Sequence, residues 1–382
     1  MFLEMSIWDI IGPLLVFTFG LAIIKPISGY FKTTLSKAVT LYLWHTIFCL
    51  LYAWYVNEYG GDAGYYYSTS TREPLVFSFG TLAVKMFTSY FSNSIGLSFL
   101  ATSLVFNIFG FIGLIAFDAA LRSAVFQKKK NICRLASVIV FLPSVSFWSA
   151  GIGKDSLAFM SAGLALWAAL NFKKRIGVMV PSILIMFFVR PHIAGILIIS
   201  FLVSIVIQKR LPLVFRFAIA TIALIVTVLV VPIGLKYSVF ENAKSTKSVE
   251  KYIQQRASYN KEGGGGIDIS KMSTPLQVGT YLFRPFPFEA HNLTSFAASL
   301  DNMVLLYLFV LGITSMIQKR YKSRDENRIF LWTYSLTTLL ILSITTANLG
   351  ISVRQKWMFT PMLIFLMISV IGKRELSRNT LS

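Results

Sequence analysis

Apolar windows of about 17 to 22 residues recur along this chain, beginning near residues 8, 39, 96, 135, 156, 176, 193, 215, 294, 329 and 357. No other feature constrains the fold as tightly. In lipid, a segment of that length can satisfy its own backbone polar groups only as a helix. Of the 382 residues, 55% are hydrophobic and 14% are charged, whereas a soluble chain carries roughly 25% charged residues. The expectation is an all-α polytopic integral membrane protein with about eleven transmembrane helices. Soluble enzymes, secreted disulfide scaffolds and nucleic-acid-binding modules are excluded as readings of the whole chain. Cys49, inside an apolar run, and Cys133, beside a basic cluster, form no CxxC pair, and no disulfide is predicted.

The net charge of +20 would suit a nucleic-acid partner, but the basic residues are spread in small groups between the apolar runs. That is the pattern of topology determinants, because cytoplasmic loops retain Lys and Arg. Alternate loops hold Lys25, Lys32 and Lys37; Arg122, Lys128 to Lys130 and Arg134; Lys173 to Arg175; Lys209, Arg210 and Arg216; Lys319 to Arg328; and Lys373, Arg374 and Arg378. These groups contain 22 of the 36 basic residues. The alternation puts the N-terminus outside and the C-terminus in the cytoplasm. The first run starts with Glu4 and Asp9 instead of a basic region, so it reads as a retained span and not a cleavable signal.

Acids gather on the opposite, outer face, where Asp62, Asp155, Glu289 and Asp301 fall. The sequence divides into an N-terminal membrane region (1–236, about eight spans), a long outer loop (237–293) and a C-terminal membrane region with a tail (294–382). Within the first region, segment 57–95 reads as an amphipathic interfacial helix with Lys85 snorkelling outward. In the long loop a helix is predicted near 241–257, followed by four consecutive glycines at 263–266 that read as a hinge.

Four outer constellations carry candidate chemistry. In GGDAGYYY (60–67), Asp62 can act as a general base, and Tyr65 and Tyr66 offer flat faces for a sugar ring. An aromatic belt beside a solvated acid explains the same residues. In FWSAGIGKDS (147–156), Lys154 and Asp155 open a helix whose N-terminus favours an anion, against a reading in which Asp155 caps and Lys154 snorkels. The turn Arg190-Pro191-His192 places at the hydrocarbon edge an arginine able to grip phosphate bidentately, and beside it a titratable imidazole. The alternative is a structural arginine holding backbone carbonyls. In YLFRPFPFEAHN (281–292), Arg284, Glu289 and His291 lie among Phe and Pro, with an Arg284–Glu289 salt bridge that only folds the loop as the alternative. Asp301, Arg354 and Lys356 complete the outer charged set.

The three histidines sit in unrelated segments without metal-ligand spacing, so no metal site is predicted, and His45 reads as a buried, hydrogen-bonded residue. There is no Walker motif. Inverted repeats with matching broken helices do not stand out.

Taken in order, GGDAGYY, FWSAGIGKDS, RPHIAG, YLFRPFPFEAHN and the closing LGISVRQKW resemble the polytopic proteins of bacterial polysaccharide gene clusters. These are the Wzy-like (O-antigen) repeat-unit polymerases with their EpsG-like branch and, more distantly, the GT-C glycosyltransferases. The resemblance implies a multi-pass protein of the bacterial inner (cytoplasmic) membrane whose long loop and active site face the periplasm. It also implies a glycan donor carried on undecaprenyl phosphate or diphosphate. Other polysaccharide export proteins are implied partners, and no metal or other cofactor is. Asp62 matches the acidic residue of the first outer loop, a base in GT-C enzymes, and Arg190 and Arg284 match outer arginines used on lipid diphosphate. His291 is the alternative base. Lys154 and Arg354 join the cationic set, and Tyr65, Tyr66, Asp155, His192 and Glu289 are expected to line the substrate site. The chain lacks the DxD or DE pair of GT-C enzymes at Asp62. A single-sugar transferase of the GT-C type and a lipid-linked glycan transporter or non-catalytic export partner are the rival expectations.

Overall fold

The computed structural model describes residues 7–70, 78–207, 266–269, 272–318 and 327–372, together with positions 214 and 221. The span expected near 215, the helix near 241–257 and glycines 263 to 265 lie outside the described residues. In chain order the helices are α1 (Trp8–Tyr30), α2 (Leu35–Tyr59), α3 (Asp62–Ser70), α4 (Thr81–Ser89), α5 (Phe99–Ala124), α6 (Lys130–Val140) and α7 (Pro143–Ser149). They continue as α8 (Lys154–Ala169), α9 (Phe172–Val189), α10 (Pro191–Ile207), α11 (Thr274–Phe283), α12 (Leu293–Ile317), α13 (Arg328–Thr345), α14 (Leu349–Gln355) and α15 (Thr360–Val370). Among the described residues there is no strand, only an isolated antiparallel bridge between Gly266 and Asn348.

Among the described residues the chain is therefore all-α, and six stretches are long and apolar enough to cross a membrane. They are α1, α2, α5, α6 with α7 as one run, α12 and α13. Sequence windows near 156, 176, 193 and 357 also fold as helices, but these are shorter or carry more charge. Burial explains the first and the last of these. In α8, 14 of 16 residues are buried, and in α15 all 11 are. At 1.5 Å per residue α15 is about 16 Å long, half the hydrocarbon thickness. Such helices are apolar because they face protein on every side, so their hydropathy counts them as spans although they need not meet lipid.

Helix α5 is the hub, with 19 of its 26 residues buried. It crosses α8 where Gly113 faces Gly163: a Cβ on Gly113 would lie 2.7 Å from Met160 Cα, and one on Gly163 would meet the Gly113 carbonyl. Small residues at a crossing let backbones approach to the distance at which dispersion holds them, the usual device where lipid removes the hydrophobic drive. Nearby, the buried His45 ring pairs with Asn107 Oδ1 (2.6 Å) and Ser149 Oγ (3.0 Å), and Asn107 donates to Thr46 Oγ1 (2.9 Å). This closed network ties α2, α5 and α7 together.

The segment expected to lie in the interface folds as α3 and α4, followed by a π turn at Tyr90–Ser94. Ser89 Oγ (3.0 Å) and Asn93 Nδ2 (2.6 Å) both donate to the Ser70 carbonyl, closing α3 onto α4. Lys85 does not snorkel outward. It is buried, donating to the Tyr65 hydroxyl at 3.1 Å with Nζ 4.4 Å from the ring centroid. An aromatic neighbour gives its charge a partner that the helix pattern cannot reveal.

Charged joints fasten both ends of the bundle. At one end Asp118 accepts from Lys37 (2.5 Å) and Arg122 (2.7 Å), and Arg122 also donates to the Phe31 and Lys32 carbonyls, pinning the α1–α2 turn to α5. Lys128 Nζ closes the C-terminus of α15 through the carbonyls of Ile368, Ser369 and Ile371. Helix α2 runs 25 residues, about 37 Å, from Leu35 near this joint to Tyr59 beside the second cluster.

Candidate functional site

Four charged residues from four separate segments converge where α2 ends. Pro143 starts α7, and the Ala150–Gly153 connection turns the chain straight into α8, so Lys154 and Asp155 occupy the first turn of that helix. A Cβ on Gly151 would lie 2.1 Å from Tyr52 Cδ1, so only glycine lets the turn seat this closely against α2. Arg190 precedes Pro191, which disfavours the helical conformation for it. Its φ of −146° and ψ of 74° end α9 and swing its side chain towards α8. Arg354 comes from the last turn of α14, whose first turn is capped by the Asn348 side chain accepting from Ile351 N at 3.2 Å.

The carboxylate of Asp155 is divided between the two arginines. Oδ1 accepts from Arg190 Nη2 at 2.7 Å, and Oδ2 accepts from Arg354 Nε and Nη2 at 3.0 and 2.8 Å. The same Arg354 Nη2 reaches Asp62 Oδ2 at 3.0 Å. The side chain of Asp155 is 8% exposed and that of Asp62 55%, so one guanidinium bridges a buried acid and a solvated one. Burial works against the charge on Arg354, but Asp155 and Asp62 more than offset it, and its pKa is raised. Trp148 lies 5.3 Å beneath the guanidinium, adding a cation–π contact.

Asp155 therefore does not cap its helix; its lone pairs are taken by the arginines, and no side chain caps α8. Lys154 donates to Thr81 Oγ1 at 2.6 Å, tethering α8 to α4. Tyr66 is buried on the inner side of α3, whereas Tyr65 is exposed and lies against Lys85. His192 is exposed on the first turn of α10.

The second group forms a loop brace. Glu289 takes Arg284 Nε at 2.9 and 3.1 Å, Arg284 Nη2 at 2.5 Å and the Phe286 N–H at 2.8 Å. Partial burial raises the pKa of Glu289, but the Arg284 guanidinium and the Phe286 amide outweigh it and hold the group below its ordinary value. His291 itself is exposed. Among the described residues no ion pair joins this brace to the Asp155 cluster, and the geometry matches the loop-folding alternative for Arg284. Asp301 and Lys356 also turn inward. Asp301 Oδ2 accepts from Ser144 N at 2.6 Å and from its hydroxyl, while Lys356 Nζ bonds Asn302 Oδ1 and the Leu282 carbonyl, and Asn302 Nδ2 donates to Pro285 O at 3.0 Å.

Sequence reasoning missed Tyr52, Trp148 and Tyr281. Tyr281 is 2% exposed on α11, and its hydroxyl has no hydrogen-bond partner, nor has the buried Nε of Arg190. Tyr281 lies within electrostatic reach of Arg190 and Asp155. Buried polar atoms without partners are rare, and both of these lie at the charge cluster. No signal in the sequence separates Tyr281 from the other tyrosines. No group of three or more His, Cys, Asp or Glu residues able to hold a metal occurs among the described residues. No family model, curated protein or solved structure matches the chain.

Proposed function

We propose that this protein transfers glycosyl groups from an undecaprenyl-linked oligosaccharide and so polymerises the repeat units of a surface polysaccharide. The observation that carries the reading is the convergence of Asp62, Asp155, Arg190 and Arg354, each drawn from a different segment of the sequence, into one cluster at one end of the bundle. An exposed carboxylate stands on one side of a guanidinium whose other side is fixed by a buried acid. In the reaction, an acceptor hydroxyl oxygen bonds to the anomeric carbon, its proton passes to Asp62, and the bond from that carbon to the diphosphate oxygen breaks. Arg190 and Arg354 offset the charge that develops on the leaving diphosphate, an electrostatic role for which preoriented guanidiniums suit. Their pairing with Asp155 holds them in place before substrate arrives.

The proposal includes the eleven-span topology, the cytoplasmic membrane, an outer N-terminus and a cytoplasmic C-terminus. The alternation of basic loops supports these, as does the position of the Lys37–Asp118–Arg122 joint at the end of α2 away from Asp62. In a deletion strain the polysaccharide ladder should collapse to a single lipid-linked repeat unit. Loss of one monosaccharide from every repeat would instead indicate a GT-C-type transferase, and unchanged glycans would overturn both. A second expectation concerns Tyr281→Phe. Removing a hydroxyl with no partner should leave thermal stability unchanged or slightly raised. If the group binds substrate, polymer synthesis should fall about tenfold, the loss of roughly one hydrogen bond.

A further inference from the structure

The guanidinium of Arg354 is firmly committed on one edge and lightly held on the other. Nε and Nη2 both donate to Asp155 Oδ2, which takes up the first edge, and Trp148 lies against one face of the group. On the edge formed by Nη1 and Nη2, the only hydrogen bond among the described residues runs from Nη2 to Asp62 Oδ2 at 3.0 Å. The side chain of Asp155 is enclosed and that of Asp62 is largely in solvent, so water competes for the second contact and not for the first.

Charge gives the reason for that second contact. Arg190 and Arg354 bring two positive charges together, and the buried Asp155 answers one of them. Asp62 answers the other from solvent. Its carboxylate therefore stands where an incoming anion would be drawn. Two phosphate oxygens can span the Nη1–Nη2 edge bidentately, a stronger grip than the single bond Asp62 makes there, and displacing an exposed partner costs far less than displacing a buried one. We infer that Asp62 is a latch on the anion site: in the free protein it holds the edge of Arg354 that the substrate diphosphate takes, and the arriving diphosphate releases it. The inference rests on the glycosyl-transfer reading above and adds an order of events to it. The carboxylate proposed to take the acceptor proton is engaged by Arg354 until the donor is seated, so the base is freed only when a leaving group is present. Asp155, bonded to both arginines, stays in place and keeps them aligned.

Binding is measured separately from transfer. The full-length protein in nanodiscs would be titrated with inorganic pyrophosphate by isothermal calorimetry at fixed ionic strength. Removing the competitor with Asp62→Asn should tighten pyrophosphate binding about fivefold, the upper value for an exposed ion pair, even as elongation falls. Asp62→Ala, which leaves no acceptor, should do at least as much. Glu58→Gln removes another exposed acid, from the last turn of α2, and should leave the affinity unchanged. Undecaprenyl diphosphate in the disc should compete with pyrophosphate. Unchanged or weaker binding by both Asp62 variants would overturn the latch while leaving the arginines as a diphosphate site. An equal gain from Glu58→Gln would overturn it too, by revealing a diffuse field, as would pyrophosphate that the lipid cannot displace, the mark of a soluble-anion site. Absence of binding in every form would remove the diphosphate role of the arginines and the latch with it.

Discussion

Asp155→Ala should destabilise the protein by about 3–5 kcal/mol, the usual consequence of removing one partner from a buried, hydrogen-bonded ion pair. The residue is nearly enclosed, and both its oxygens hold guanidinium groups. Without it, Arg190 would lie half-buried with no carboxylate, and Arg354 would keep only the exposed Asp62. Unfolding in mixed detergent micelles would measure the change. Pairing the substitution with Arg190→Met should recover a substantial part of the loss, because an apolar replacement of both partners leaves no stranded charge. A single variant as stable as the parent would mean that the cluster is solvated, removing the basis for treating it as a fixed electrostatic site.

Asp62→Asn should behave in the opposite way. Its side chain is largely in solvent, and a pair of that kind contributes about 0–1 kcal/mol. Stability should barely move. Transfer should fall by roughly 10²–10⁴-fold if the carboxylate takes the acceptor proton. The clean readout is elongation of a lipid-linked repeat unit by purified protein, measured beside its unfolding curve. Near-normal elongation would move the base elsewhere, with His291 the next group to test. The two substitutions thus separate the acid that holds the arginines from the acid proposed to do chemistry.

The helices were legible because hydropathy over some twenty residues reports directly on enclosure of the backbone. What encloses each helix was less so. Residues 154–169 and 360–370 are as apolar as lipid-facing helices, yet protein surrounds them, and hydropathy does not distinguish the two environments. At the candidate site, Asp62, Asp155, Arg190 and Arg354 were each picked out in the sequence as outer charged residues. Their pairing was not, since 199 positions separate Asp155 from Arg354. Capping was the reasonable local reading for Asp155, and a distant guanidinium displaced it. Lys85 went astray for a related reason: the snorkelling argument supplies water as the partner, whereas the fold supplies Tyr65.

The same long separation orders events in time. At a synthesis rate of about 5–20 residues per second, Asp155 and Arg190 emerge some 10–40 seconds before Arg354. Throughout that interval the half-made bundle carries Asp155 with only one of its two arginines. The N-terminal helices can pack around Gly113 and Gly163, but the cluster stays unfinished until α14 docks. Lys128 waits longer still for the carbonyls of Ile368 to Ile371. A chain that stalls or is cut before those residues therefore presents unpaired charge at both ends of an otherwise assembled core, the kind of defect that quality-control proteases can recognise.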